Sequence, residues 1–168
     1  MPEYIQHVEG RKHKGITPQF ESLALPSDDV LAASLPSLQL VRAGMIDIVS
    51  LASYPLLLLE WGYSVRRLFD AACRLANVEP NILLESRAPH TLLALAEAGQ
   101  GIAIIPSMLR TGRYRLKLAR VTHRRKPLRD RYVIQWDKRR PMPNYAQNFC
   151  AALATYMRDV LPITRPSR

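Results

Sequence analysis

One continuous stretch of the chain decides the fold, residues 56–106, which read LLLLEWGYSVRRLFDAACRLANVEPNILLESRAPHTLLALAEAGQGIAIIP. It opens on Leu56–Leu59, a short apolar run that suits a strand buried on both faces. Glu60 and Gly62 close this run, and Ser64 is predicted to be the N-cap of the helix that follows. The apolar side chains of that helix recur at helical spacing, at Leu68, Phe69, Ala72, Cys73 and Ala76.

Two further strands and a second helix follow in the same stretch. Ile82–Leu84 predicts a strand, Pro89 suits the first turn of a helix over His90–Ala98, and Gly99 ends that helix. Ile102–Ile105 predicts a third apolar strand. The order β-α-β-α-β, with right-handed crossovers, predicts a small parallel sheet with helices packed on it.

The flanking regions are less regular. Val30–Ala33 predicts a short strand, Leu38–Ile48 is ambiguous between a short helix and a loop, and Asp47–Ala52 predicts a single helical turn. After the central stretch, the patterns predict strands over Leu116–Val121 and Tyr132–Trp136 and an amphipathic helix over Tyr145–Val160.

The positive charge of the chain is concentrated in one segment. The 168 residues are 48% hydrophobic, which indicates a globular protein, and carry a net charge of +10. Between Arg110 and Arg140 there are 13 basic residues against Asp130 and Asp137, so this segment holds +11 and the rest of the chain −1. Such a segment binds nucleic acid phosphates in some proteins and is a solvated surface in others, and its run Arg124-Arg125-Lys126 lacks the interleaved aromatic residues of a base-stacking surface.

Several classes of protein are disfavoured by the sequence. The longest apolar run is too short to cross a bilayer, and Met1-Pro2-Glu3 does not begin a secretory signal, so we expect a cytoplasmic protein without membrane contact. Cys73 and Cys150 lie in apolar, helix-like segments and are expected to be reduced core residues.

No motif for catalysis or for a cofactor is present. The histidines, His7, His13, His90 and His123, form no i, i+4 pair, and the cysteines have no metal-ligand spacing. Gly99-Gln100-Gly101 is a helix stop rather than a dinucleotide fingerprint, and no serine lies in a G-x-S-x-G elbow. We therefore expect no enzyme activity, metal or cofactor.

The stretch from Val30 to Val160 resembles the effector-binding part of LysR-type transcriptional regulators. The residues that carry the resemblance are Tyr54–Leu59, Gly62–Ser64, Leu68–Cys73, Leu84–Ser86, Pro89–Leu95, Glu97–Gly99 and Gly101–Ser107, supported by Asp29–Ala32, Ile46–Leu51 and Trp136–Arg140. Each piece is a weak pattern, but their order and spacing together are fairly specific.

The resemblance implies an α/β fold like that of the type 2 periplasmic binding proteins, with two lobes joined by crossing strands and an effector in the cleft between them. It implies one complete Rossmann-like lobe and a partial first lobe. The expected division is an irregular leader over 1–19, the second lobe over 20–107, a return to the first lobe with the C-terminal helix over 108–160, and a tail over 161–168. No helix-turn-helix is recognisable before Phe20, so the chain is expected to be a fragment that contacts DNA only through a missing domain or nonspecifically, and to form a homo-oligomer.

The predicted effector site lies after the strands of the second lobe. Ligands collect beyond the carboxyl ends of parallel strands, and free N–H groups at the start of a helix attract anions. The residues expected to line the site of a small, acidic effector are Glu60, Trp61, Gly62, Tyr63, Ser64, Ser86 and Ser107. Glu60 would repel an acid unless it is protonated, turned outward, or paired with a basic residue such as Arg87.

Two alternatives of other classes remain at this point. One is a basic nucleic-acid-associated protein that acts through Arg110–Arg140. The other is a small-molecule-binding protein with no link to transcription.

Overall fold

The computed structural model describes residues 20–38 and 44–164. In chain order the elements are β1 (Phe20–Ala24), β2 (Asp28–Ser34), β3 (Met45–Asp47), α1 (Ile48–Leu51), β4 (Leu56–Leu59), α2 (Ser64–Ala76), β5 (Ile82–Ser86), α3 (Pro89–Glu97), β6 (Ile102–Pro106), β7 (Lys117–His123), β8 (Lys126–Pro127), β9 (Arg129–Asp130), β10 (Val133–Asp137) and α4 (Asn144–Val160). The predicted leader and the last four residues of the predicted tail lie outside the described residues, as do residues 39–43.

The central β-α-β-α-β unit is confirmed as β4-α2-β5-α3-β6. Strand β4 pairs in parallel with both β5 and β6, so the predicted parallel sheet forms. It is extended by antiparallel strands, because β2 pairs with β6 on one side and β7 on the other. The full order is β3-β7-β2-β6-β4-β5, with β8 paired to β7 and β9 paired to β2. The sheet therefore contains strands that precede Ser107 in the chain and strands that follow it.

The strand order explains why four consecutive leucines can be buried. The chain leaves β4 for β5 on one side and then crosses back to β6 on the other, so right-handed crossovers place α2 and α3 on opposite faces of the sheet. Both faces of β4 are then covered, and each residue of Leu56–Leu59 is at most 2% exposed. This is the core that the leucine run predicts.

Strands β1 and β10 form a two-stranded ribbon that is separate from the main sheet. Strand β1 pairs antiparallel with β10, from Phe20 opposite Asp137 to Ala24 opposite Val133. The predicted amphipathic helix follows as α4, but within it only Cys150 and Ala154 are buried. Three aromatic side chains of α4, Tyr145, Phe149 and Tyr156, are between 64% and 77% exposed.

The ends of the helices agree with the sequence signals except at one position. Helix α2 ends at Asn77, which has a φ of 52°, and Gly99 follows α3 with a φ of 78°, as a left-handed stop requires. The prediction that Ser64 is an N-cap is wrong. The N-cap of α2 is Tyr63, which has extended backbone angles and makes no side-chain capping bond, and Ser64 is the first helical residue.

The remaining predictions fall on β3, α1 and the cysteines. The ambiguous region ends in strand β3, and the helical turn after it is confirmed as α1, whose N-cap Asp47 accepts a hydrogen bond from the N–H of Val49 at 3.0 Å. Cys73 and Cys150 are buried free thiols, as expected, and burial raises the pKa of Cys73 to about 11. Across residues 20–38 and 44–164, no helix has the length and apolar character needed to cross a membrane.

Candidate functional site

The predicted site residues lie at one edge of the main sheet. Glu60–Ser64 follow β4, Ser86 is the last residue of β5, and Ser107 follows β6. Since these three strands are parallel, their carboxyl ends meet at the same edge. Because the chain leaves β4 and β6 towards opposite sides, this edge is the point at which an open α/β sheet forms a crevice.

Two of the loops at this edge are joined by an ion pair and two hydrogen bonds. Arg87 Nε lies 2.7 Å from Glu60 Oε2, and this contact raises the pKa of Arg87 above its usual value. The Tyr63 hydroxyl donates to the carbonyl of Arg87 at 2.8 Å, and the N–H of Glu60 donates to the carbonyl of Ser86 at 3.2 Å. Of the three conditions under which Glu60 would not repel an acid, the structure shows pairing with Arg87, which offsets the charge of the Glu60 carboxylate.

The start of α2 offers donors to this crevice. Tyr63 has no capping side-chain bond, so the first N–H groups of the helix receive no side-chain acceptor. Trp61 is 67% exposed and Tyr63 40%, which leaves two aromatic surfaces beside these donors. The arrangement suits an anion with an apolar or aromatic body.

The hydroxyls of the two other predicted serines, Ser86 and Ser107, make hydrogen bonds within the protein. The Ser86 hydroxyl accepts a hydrogen bond from the N–H of Ala88 at 3.1 Å. Ser107 is buried, and its hydroxyl donates to Asp28 and accepts from the N–H of Asp29. Both hydroxyls therefore shape the loops of the edge.

A buried acidic cluster lies directly behind the crevice. Asp28 is 2% exposed and stands opposite Asp130 in the pairing of β2 with β9. Tyr132 lies near Ser64 and Asp130, and burial together with the nearby Asp130 and Asp28 raises the pKa of Tyr132 to about 12. Oδ2 of Asp130 is buried and has no hydrogen-bond partner among the described residues. The cluster links the start of α2 to the segment before β10.

The protonation of Asp28 should make stability depend on pH. Burial raises the pKa of Asp28 above 3.8, Asp130 and Asp29 act in the same direction, and the bond from Ser107 opposes them. A raised folded-state pKa means that the folded state holds this proton more tightly, so the free energy of unfolding falls as the pH rises from about 3.8 through the folded pKa. Above that window the loss is complete and constant.

We expect Asp28→Asn to remove this fall while keeping an acceptor for Ser107. Relief of the like-charge pair with Asp130 adds up to about 1 kcal/mol at neutral pH. Urea unfolding of both proteins from pH 3 to pH 7 measures the difference. Ser107→Ala should have the opposite effect. The hydrogen bond from Ser107 lowers the pKa of Asp28, so its loss should raise that pKa further and enlarge the fall in the free energy of unfolding. A constant difference between Asp28→Asn and the natural protein at every pH would contradict this assignment.

Sequence reasoning missed Asp28, Asp130 and Tyr132. Asp130 lies in β9 and Tyr132 follows it, and the pairing of β9 with β2 brings them to Asp28. This strand has two residues, and the sequence contains no local signal for its pairing. It also missed Arg66, which lies beneath the Glu60 loop with its side chain bonded to Asp70, Glu85 and the carbonyl of Leu59. An arginine on the inner face of an amphipathic helix was the one signal that could have found it.

The basic segment does not form one surface. Arg120 and Arg129 both bind the carboxylate of Asp29, at 2.7 and 2.8 Å, and Arg139 binds Asp137. Arg115 and Lys117 lie at the start of β7 and Arg124, Arg125 and Lys126 at its other end, so the seven residues of the strand separate these groups by roughly 20 Å. Lys138 and Arg140 lie elsewhere, after β10. Arg124 and Arg125 form the tip of the β7–β8 hairpin, with φ of 49° and 65°. Among the described residues no group of three metal-ligating side chains occurs.

Comparisons with known proteins give one consistent match. The family model described as the LysR substrate binding domain matches residues 11–158. An uncharacterized HTH-type transcriptional regulator of Bacillus subtilis (strain 168), YybE, is 30% identical over 105 residues, which is 62% of this chain and 35% of that protein. The chain thus spans about a third of the length of this curated relative.

Solved structures show the same fold. The effector binding domain of QuiR in complex with shikimate has a TM-score of 0.65 at 18% identity, covering 85% of this chain and 68% of that one. The regulatory domain of CcmR from Synechocystis PCC6803, in complex with 2-PG, has a TM-score of 0.67 at 14% identity, covering 84% and 68%.

Proposed function

The chain belongs to the LysR substrate-binding-domain family, and from that premise we propose that it is the effector-sensing domain of a transcriptional regulator. The fold is the mixed α/β fold of that family, similar to the type 2 periplasmic binding proteins. The effector is a small acidic molecule that binds against the start of α2, where Glu60, Trp61, Gly62, Tyr63 and Ser64 line the crevice and Ser86 and Ser107 hold its walls.

One observation carries this proposal. The uncapped N-terminus of α2 lies at the carboxyl edge of the sheet, and the Glu60 charge beside it is neutralised by Arg87. Free N–H groups and the positive end of the helix dipole then face an anion without a competing carboxylate in the same loop. The ligands named for the structures of QuiR and CcmR, shikimate and 2-PG, are also small and polar.

The proposal extends to the whole regulator. Residues 20–107 supply the second lobe, and residues 108–160 return towards a partial first lobe after contributing β7. The chain senses a ligand and does not transform it, works in the cytoplasm, and contacts DNA through a helix-turn-helix outside residues 20–160. The exposed aromatic residues of α4, Tyr145, Phe149 and Tyr156, give a homo-oligomer an apolar surface on which to form.

Binding of acids tests the site. We expect chemical-shift changes at Trp61–Ser64 when the chain is titrated with a panel of aromatic and aliphatic carboxylic acids. Ser64→Ala should weaken binding roughly threefold, since one neutral hydrogen bond is lost. Glu60→Gln should strengthen the binding of simple acids, because it releases the charge of Arg87.

A matched control is available in Ser53→Ala, which removes an exposed hydroxyl bonded only to the carbonyl of Ser50. It should leave every affinity unchanged. The effector site is placed wrongly if no acid in the panel shifts Trp61–Ser64, or if Ser53→Ala and Ser64→Ala weaken binding equally.

A further inference from the structure

Another concavity, of about 700 Å³ and open to solvent, has walls made of other residues than the Glu60 loop. Its walls come from three places: His90 at the start of α3, the segment Arg110–Arg113 after β6, and the segment Val160–Thr164 after α4. None of the seven predicted effector-site residues lines it.

The concavity is lined by two arginines, and none of its lining residues is acidic. Arg110 and Arg113 contribute to its walls together with the imidazole of His90 and uncharged residues. Arg110 and Arg113 make no salt bridge with a carboxylate in the part of the chain that the structure describes. Two arginines that line one concavity without a carboxylate partner favour an anionic occupant.

Neutral contacts position the Arg113 guanidinium. It lies 4.8 Å from the centre of the Tyr114 ring and donates to the Tyr114 hydroxyl. That hydroxyl is 3.2 Å from His90 Nδ1, and the two rings stack with their centres 6.0 Å apart. These contacts order Arg113 but leave its charge uncompensated, because a phenol and an imidazole supply no carboxylate.

Two buried threonine hydroxyls join the Arg110–Arg113 segment to the segment after α4. The Oγ1 atoms of Thr111 and Thr164 are 3.4 Å apart, and Thr164 Oγ1 donates to the carbonyl of Leu109 at 2.6 Å. The N–H of Thr164 also donates to the carbonyl of Ser107 at 2.9 Å. Both threonines are less than 10% exposed, so the wall is fixed by bonds across more than fifty residues of chain.

We propose that this cavity is an anion-binding site, separate from the effector site, which takes a small oxyanion. The ligand carries a carboxylate or a phosphate group that receives hydrogen bonds from Arg110 and Arg113. Pro162 and Ile163 provide an apolar edge for the rest of the molecule. A carboxylate and a phosphate both accept hydrogen bonds from guanidinium groups. Titration with one probe of each kind distinguishes which of them the site prefers.

The test uses the full chain at low ionic strength, with inorganic phosphate and succinate as probes and matched additions of sodium chloride as the ionic-strength control. Amide chemical shifts should move in a saturable way at Thr111–Arg113 and Thr164 with at least one probe, and not with chloride. Arg113→Gln and Arg110→Gln should each weaken that binding roughly tenfold, as loss of a charge-assisted hydrogen bond requires.

The matched control is Arg115→Gln, which removes the same charge two residues away from an exposed side chain that does not line the cavity. It should change the affinity less than twofold. Equal weakening by Arg115→Gln and Arg113→Gln would show diffuse attraction and overturn the proposal, as would shifts that do not saturate. Shifts confined to Trp61–Ser64 would also overturn it, while supporting the effector site.

Discussion

Gly101→Ala should lower the free energy of unfolding by about 3 kcal/mol, at the upper end of what overpacking a tight interior costs. An ideal Cβ at Gly101 would lie 2.5 Å from the carbonyl oxygen of Pro55 and 3.2 Å from its carbonyl carbon. Both are backbone atoms, so no flexible side chain can move aside. The Pro55 oxygen is also held in place, because it accepts a hydrogen bond from the N–H of Ile102 at 2.9 Å.

The strain falls on the join between β4 and β6. Pro55 precedes β4 and Ile102 begins β6, so relieving the contact would pull apart two strands whose side chains form the centre of the core. Urea unfolding of the purified variant measures the loss. Gly112→Ala is the matched control, since its Cβ meets nothing within 4 Å, and it should change stability by less than about 0.5 kcal/mol. Equal stabilities for the two variants would show that the strands are not this close.

The elements that could be predicted from sequence are those with local signals. The run Leu56–Leu59 and the apolar spacing of α2 arise from burial against two layers, and both patterns lie within a few residues. Helix stops such as Gly99 depend on a single backbone angle, which glycine adopts without steric cost. These signals were enough for the β4-α2-β5-α3-β6 unit and for the edge on which the candidate site lies.

The features that could not be predicted depend on pairing between distant residues. Strand β9 has two residues, and its place beside β2 is set by the register of Asp28 and Asp29 with Asp130 and Arg129. The Ser64 N-cap was wrong by one position, since the extended backbone of the cap falls at Tyr63, whose hydroxyl bonds the carbonyl of Arg87 in the next loop. One wall of the Arg110–Arg113 concavity comes from the segment after α4. The hydrogen bond from Thr164 to the carbonyl of Ser107 places that segment, and no sequence pattern predicts it.

The burial of Arg66 also has no local pattern, and its loss should have the second large effect. Its side chain is 9% exposed and meets Asp70 Oδ1 at 2.9 Å, Glu85 Oε1 at 2.7 Å and the carbonyl of Leu59 at 3.0 Å. Burial alone would lower the pKa of Arg66, but its bonds to Glu85 and Asp70 outweigh that effect and raise it. The guanidinium therefore remains charged in the interior and balances two carboxylates.

We expect Arg66→Met to lower the free energy of unfolding by about 2–3 kcal/mol, somewhat less than removal of one partner from a fully buried pair. The methionine fills the space, so the loss comes from the unpaired Asp70 and Glu85 and from the unbonded carbonyl of Leu59. The cost is moderated because the Glu85 side chain is 43% exposed and regains water. Arg67→Met is the control, since Arg67 is exposed and bonds only the carbonyl of Gly62, and it should cost less than about 0.5 kcal/mol.

A third protein separates the charges from the packing. If unpaired carboxylates cause the loss, adding Asp70→Asn and Glu85→Gln to Arg66→Met should recover about half of it, because neutral amides cost less to leave without the cation. A triple variant no more stable than Arg66→Met alone would assign the loss to packing instead. The same proteins should differ at the effector site, since the Leu59 carbonyl that Arg66 holds directly precedes Glu60. Arg66→Met should therefore broaden the amide signals of Trp61–Ser64, whereas a loop held by the Glu60–Arg87 pair alone would leave them sharp.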